Sequence, residues 1–329
     1  MFKKILIYNS GGGIGDSILL IPLIRSIQDY FKTAKIYYLG SHKNHFDGKL
    51  KEYGVNIENL DLNLKYYGFR WWHFIFSKRK FEQKKIGTFD LIIDCQSKIR
   101  NTIILKQLPS KLFYSSTFNY IFCKGKKSKK NLKNHTRLIS EKVIDDLNQL
   151  FDLNLKNITY KIEDIPIKFL KEAKNLLPEN NYIGFSLTQG NAYRKKSWPI
   201  EKFITLGTEL IKKGKKIVFF IEKKEIDLIK EIKKKIPNAY FPEHQSALSC
   251  PLLVTALSTR LEKAVSIDNG IMHMIGLSGV PMIILFGPTD PQKFAPKREN
   301  IKIIESKKLY NNEDVAKIRI EDVVKEFNY

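Results

Sequence analysis

Runs of apolar and β-branched residues recur along the chain, and the apolar positions between them fall at helical spacing. In the first half "KKILIYNS", "AKIYYLG" and "FDLIIDCQ" read as strands, with a helix over residues 16–31 between the first two. In the second half "NYIGFSL", "KKIVFFIE", "KAVSIDNG" and "PMIILFG" read as strands, with helices over 200–213, 225–235 and 272–278. Near-continuous apolar strands that alternate with helices predict parallel sheets covered on both faces. Because the pattern repeats in the two halves, two doubly wound α/β domains are expected rather than one very wide sheet. A Pro-containing segment, residues 160–181, leads into a fresh helix and strand and marks the boundary. The domains are placed at residues 1–165 and 166–311. Residues 312–329 have helical spacing and are expected to pack back on the first domain.

Composition narrows the class. With 43% hydrophobic and 12% aromatic residues in 329, the chain can bury two cores. No apolar run approaches the ~18–20 residues a bilayer span needs. The opening "MFKKILIYNSGG" runs from a short apolar segment straight into glycines, with no small-residue cleavage site, so it reads as the first strand of a cytoplasmic protein. Cys95, Cys123 and Cys250 are an odd, widely spaced set without a CxxC, which points to buried reduced thiols rather than a disulfide framework or a zinc site.

The formal charge is +23, and only nine of the 57 basic residues are arginine. Readers of nucleic acid favour arginine for bidentate contacts, and no zinc finger, RRM aromatic pair or helix-turn-helix is present, so a basic nucleic-acid-binding protein is the weaker reading. A lysine-rich face suits anionic lipid headgroups or anionic substrates. The sharpest clusters are "CKGKKSKKNLKNHTR" (123–137) and the aromatic-rich "WWHFIFSKRKFEQKK" (71–85); a solvated loop accounts for either about as well as a binding surface.

Candidate chemistry lies where strands end. "IYNSGGGIGDSILLIPLIRSI" (7–27) places four glycines in five positions and then Asp16. The dinucleotide fingerprint fails because its third glycine falls on Asp16, and a Walker A loop fails for want of a lysine. The glycines still permit a sharp strand-to-helix turn and close approach of another molecule. Asp16 is either the N-cap of the following helix or a functional carboxylate. "SLTQGNAYRKKSWP" (186–199) puts Arg194, Lys195 and Lys196 after a strand, where lysine suits a diphosphate or simply solvates a loop. "SIDNGIMHMIGLSGVP" (266–281) ends a strand with Asp268, Asn269 and Gly270 and opens a helix, an arrangement of dipole and unpaired amides that attracts anions. "LFGPTDP" (285–291) turns tightly after the next strand. His273, taken alone, is more often a packed histidine than a catalyst.

Together these stretches resemble the heptosyltransferase family of lipopolysaccharide-core glycosyltransferases. The resemblance is carried by "GGIGDSILLIPLIRSI", "GNAYRKKSWPIEKF" and, most distinctively, "SIDNGIMHMIGLSGVPMIILFGPTDP", in the family's order and spacing; residues 38–161 show no matching motif. It implies a GT-B fold, two Rossmann-like doubly wound domains facing a central cleft, with acceptor on the first and donor nucleotide on the second. It implies an inverting transfer of a sugar, heptose from ADP-heptose, to a lipopolysaccharide-core or other lipid-linked saccharide. Asp16 would be the general base, with Gly13 and Gly15 in the acceptor-side loop. Lys196 matches the lysine of the K-x-W-P pattern, and Asn269 and Gly270 match phosphate donors. Thr188, Arg194, Glu225, Asp268 and His273 match further positions on the donor side.

The same resemblance implies no cofactor. With no DxD in the chain, metal-independent chemistry is expected and no metal ligands are assigned. Peripheral contact with an anionic membrane, on the inner face of the inner membrane, is expected, and nucleic acid is not. Two departures bear on the donor. Ile221 and Glu222 stand where a Gly-Gly usually follows the corresponding strand, and Asn269 replaces a commoner hydroxyl residue. A GT-B transferase or epimerase-like enzyme using a UDP-sugar is therefore the alternative enzyme reading.

Overall fold

In a computed structural model, residues 2–10, 13–40, 45–62, 68–127, 132, 138–188 and 195–327 are described. The chain divides into two compact units, 1–159 and 160–329, so the boundary falls six residues earlier than expected. Residues 160–165 belong with the second unit: Tyr160 turns its hydroxyl onto the Asp164 carbonyl at 3.2 Å, closing a local turn.

Unit 1 carries five parallel strands: β1 (Lys4–Tyr8), β2 (Lys35–Leu39), β3 (Glu58–Asn59), β4 (Phe89–Asp94) and β5 (Ser110–Ser115), in the order β3-β2-β1-β4-β5. Unit 2 carries β6 (Tyr182–Ser186), β7 (Lys216–Phe219), β8 (Leu261–Ile267), β9 (Met282–Phe286) and β10 (Ile301–Glu305), in the order β10-β9-β8-β6-β7. All pairings between these strands are parallel. Every residue of β4, β6 and β9 is buried, as strands covered on both faces must be. In each sheet the strand order reverses beside the unit's first strand, between β1 and β4 and between β6 and β8. Ligands of such sheets bind at that reversal, beyond the strand C-termini.

The expected helix over 16–31 is two helices, α1 (Ile14–Ile18) and α2 (Ile21–Tyr30). Pro22 is the cause: it has no N–H to give and its ring would clash with the carbonyl four residues back, so it is accommodated only in the first turn of a new helix. Further helices are α3 (His73–Gln83), α4 (Ile99–Leu105), α5 (Ile139–Phe151), α6 (Ile167–Leu176), α7 (Ile200–Lys212), α8 (Ile226–Lys235), α9 (Pro251–Ser258) and α10 (Gly270–Ser278). α7 shows why they dock: Phe203, Leu206 and Leu210 recur on one face and are buried against Phe185 and Ile217 of the sheet.

Residues 312–329 do not behave as expected. They form a 3₁₀ turn (Val315–Lys317) and a short helix (Ile320–Lys325), and Val315, Ile318, Val323 and Phe327 are buried in the core of unit 2. The indole N–H of Trp198 donates to the Ile318 carbonyl at 2.9 Å, and Lys202 Nζ donates to the carbonyls of Ala316 and Ile318 at 2.8 and 2.7 Å. Apolar residues outcompeted regular helical spacing here, and the segment is spent on unit 2. Gly287 makes the fit: a Cβ there would lie 2.2 Å from the Glu313 carbonyl oxygen, so only glycine admits the strap. The three cysteines are free thiols, but only Cys95 is fully buried. Among the described residues no helix is long and apolar enough to cross a membrane.

Candidate active site

The reversal point of unit 1 is built on β1 and β4. Residues beyond β1 lead into α1, which is capped by Gly13 and whose first residue, Ile14, lies two residues before the expected start. Asp16 is therefore the third residue of the helix, not its cap. Its Oδ2 receives the Gly13 N–H at 3.4 Å, and the side chain is half-buried. Gly15 is buried beside it and Gly13 is exposed.

The backbone of Asp16 is held from below. Asn9, directly after β1, donates through Nδ2 to the Asp16 carbonyl at 3.4 Å and to the Tyr38 hydroxyl at 3.3 Å. Its Oδ1 receives Gln96 Nε2 at 2.5 Å, which ties the β1 loop to the β4 loop. The β4 loop is fixed in turn by Asp94, whose carboxylate takes the N–H groups of Gln96 and Ser97, each at 3.0 Å, and the hydroxyls of Thr102 at 2.6 Å and Ser115 at 2.9 Å. Burial raises the Asp94 carboxyl above its ordinary value, against the pull of those four donors. Burial likewise pushes the Tyr38 hydroxyl up to about 12, with the Asp16 charge adding in the same direction, so it stays a neutral hydrogen-bonding group at physiological pH. Ser17, next to Asp16, shares a 2.9 Å hydrogen bond with His45 Nδ1.

The reversal point of unit 2 carries opposite chemistry. α10 starts immediately beyond β8, and Asn269 is its N-cap: Oδ1 accepts the Met272 N–H at 2.8 Å. Its Nδ2 donates to Ser186 Oγ at 2.8 Å and to the Thr188 carbonyl at 2.9 Å, joining the end of β6 to the start of α10. The Asn269 side chain, expected among the phosphate donors, is thus committed to shaping the turn. Gly270 is the first residue of the helix, where backbone N–H groups have no intrahelical acceptor and the dipole is positive. His273 is buried one turn further on.

Lys196 and Asp268 form an ion pair with side-chain exposures of 13% and 6%, and Thr289 Oγ1 donates to the same Asp268 oxygen at 2.6 Å. The pair pins the ammonium beside the mouth of α10. Thr289 comes from the "LFGPTDP" turn, so three strand ends converge on one carboxylate. Glu225 is half-buried at the N-cap of α8, beyond β7. Arg194 lies outside the described residues, as do most of residues 123–137. No group of three or more His, Cys, Asp and Glu side chains that could hold a metal ion occurs among the described residues.

A model of glycosyltransferase family 9, the heptosyltransferases, matches residues 79–325. The chain belongs to that family. Lipooligosaccharide heptosyltransferase 2 of Haemophilus influenzae is 27% identical over 170 residues, 45% of this chain and 48% of the relative, so the match spans about half of that curated relative. A glycosyl transferase family 9 structure from Veillonella parvula has a TM-score of 0.68 at 19% identity, with 99% of this chain and 96% of that one covered. The E. coli heptosyltransferase WaaC with ADP has a TM-score of 0.65 at 14% identity, with 99% of each chain covered. The likeness is one of fold, and the fold is GT-B.

In this family 9 protein the matched stretch begins at residue 79, so it takes in every candidate on the donor side and leaves out Asp16. Reading the sequence missed several residues that shape the two sites. Asn9 lay in the quoted opening stretch and, following a strand, carried a signal. Ser186 and Thr289 lay in the quoted stretches 186–199 and 285–291, but their partners Asn269 and Asp268 are distant in sequence. Tyr38, His45 and Gln96 carried no signal, because each acts on a residue far along the chain. Glu243 was missed too. It is half-buried near Glu222, and burial first, then the Glu222 charge, raises its carboxyl to about 7.

Proposed function

We propose that this family 9 protein is an inverting glycosyltransferase that moves a sugar, heptose, from ADP-heptose to a lipopolysaccharide-core or other lipid-linked saccharide, without a metal ion. In this reading the acceptor hydroxyl oxygen attacks the anomeric carbon while Asp16 takes its proton. The bond from that carbon to the diphosphate oxygen breaks, and the nucleoside diphosphate leaves with the electron pair. Lys196 and the first amides of α10 stabilise its growing charge, as fixed donors do in a water-poor site. Thr188, Arg194, Glu225 and His273 complete the donor side, and Asp268 orients Lys196. Gly13 and Gly15 leave the backbone open to the acceptor.

The observation that carries the proposal is the pairing of chemistry with topology: a carboxylate at the reversal point of one sheet, and a held lysine with a helix N-terminus at that of the other. ADP is favoured as the nucleotide because the E. coli relative was solved with it. A general base contributes about 10²–10⁴-fold to such a step. Asp16→Asn should therefore lose activity by about that factor while binding ADP as the parent does. Calorimetry with ADP and UDP tests the donor side. Tighter binding of UDP would overturn the ADP assignment, and an Asp16→Asn enzyme of near-parental turnover would overturn the base.

A further inference from the structure

A soluble domain rarely leaves five large apolar side chains in six consecutive positions facing water, yet unit 1 does. Trp71, Trp72, Phe74, Ile75 and Phe76 are 58, 52, 47, 72 and 50% exposed. They lead into and form the first turn of α3, whose His73, Ser77 and Phe81 face inward. The rest of the helix and its exit are cationic: Lys78, Arg79, Lys84 and Lys85 are exposed, and Lys80 is half-buried. Apolar aromatics at one end and a cationic shaft behind them are the composition of a segment that lies in a membrane interface.

A second element repeats the design. Phe118, Asn119 and Tyr120 all have positive φ (46, 52 and 64°), a strained run of left-handed non-glycine residues. The turn is anchored by Tyr120, whose buried hydroxyl donates to Asp146 at 2.9 Å, and by Phe122, which packs on the same core as Phe81 of α3. It thrusts out Phe118 and Ile121, 68 and 69% exposed, with Lys124 and Lys126 following.

We propose that residues 71–76 and the 118–121 turn are a docking surface for an anionic lipid bilayer, with the aromatics seated at the headgroup level and the α3 cations on lipid phosphates. Charge selects this occupant over a second copy. A chain of net +23 would bring lysines against lysines in a self-contact, whereas each lysine near an anionic leaflet gains. The inference does not depend on the transfer reaction.

Tryptophan supplies the test. Of the three tryptophans only Trp198 is buried, in unit 2, so a shift of emission reports on Trp71 and Trp72. The full chain is mixed with vesicles of phosphatidylethanolamine and phosphatidylglycerol, or of phosphatidylcholine alone. The expected result is blue-shifted emission, quenching by brominated acyl chains and salt-sensitive flotation with the anionic vesicles only. Trp72→Ser with Ile75→Ser, and separately Lys78→Glu with Arg79→Glu, should each lower partitioning about tenfold or more. Both should keep the parental thermal midpoint and ADP affinity, so a wrong donor assignment would leave this test standing. Unshifted emission, or flotation unchanged in both variants, would overturn the proposal. So would a concentration-dependent dimer that Trp72→Ser with Ile75→Ser abolishes in a protein that ignores vesicles.

Discussion

Lys196 and Asp268 are nearly withdrawn from water, so their pairing can be dissected by a double-mutant cycle. Lys196→Met removes the cation and leaves the Asp268 carboxylate with the Thr289 hydroxyl as a donor. Breaking one partner of a buried pair costs about 3–5 kcal/mol, because the surviving charge stays desolvated. For a unit of this size that corresponds to a fall in midpoint of roughly 10 °C. Asp268→Leu should cost a similar amount, for the same reason applied to the ammonium. The double variant Lys196→Met with Asp268→Leu removes both charges and should recover most of the loss, a coupling of about 4 kcal/mol or more. Chemical denaturation gives the stabilities and calorimetry gives the ADP affinity. If Lys196 meets the diphosphate, the double variant should be stable yet bind ADP about 10–100-fold more weakly, the worth of one charge-assisted contact. Single variants that each cost under about 1 kcal/mol would show the pair to be solvent-screened. A double variant with parental ADP affinity would show Lys196 to be structural only.

Other outcomes follow from the geometry. Gly287→Ala forces a Cβ against the Glu313 carbonyl at 2.2 Å and should cost about 2–3 kcal/mol by denaturation, with unit 1 unaffected. Asn269→Ala removes the cap of α10 and the tie to Ser186 and Thr188 together, so a loss of about 1–2 kcal/mol and weaker ADP binding are expected. Glu243 has a carboxyl raised from 4.5 to about 7, so the folded state holds its proton more firmly than the unfolded one. Its contribution to stability is full below pH 4.5 and is lost as pH rises through about 7. Glu243→Gln should therefore flatten the decline of stability over that window, and equal slopes in the two proteins would refute the assignment.

The sequence displayed the fold wherever one physical cause dominated. Seven strands were visible because a strand buried on both faces must be a continuous apolar run. The three that were missed lack that signature: β3 is two exposed residues, β5 opens with polar Ser110 and Lys111, and β10 sits at a sheet edge with Lys302 and Ile303 facing solvent. Residues 16–31 had helical spacing throughout, and the break came from Pro22, which the periodicity does not register. The donor-side candidates were visible because Asp268, Asn269 and Gly270 follow a strand and open a helix within one stretch. What Asp268 and Asn269 hold was not visible, since Lys196, Thr289, Ser186 and Thr188 reach them only once the strands have been ordered in space.

The strap at residues 315–327 gives the two units unequal schedules during synthesis. A chain growing from its first residue can complete unit 1 once residue 159 has cleared the ribosome. Unit 2 must wait for Phe327, because Trp198 and its neighbours have no cover until Val315, Ile318 and Val323 arrive. From residue 159 to residue 327, then, a finished half precedes one whose oily interior is open, and that open half is where chaperones would be expected to attend the nascent protein.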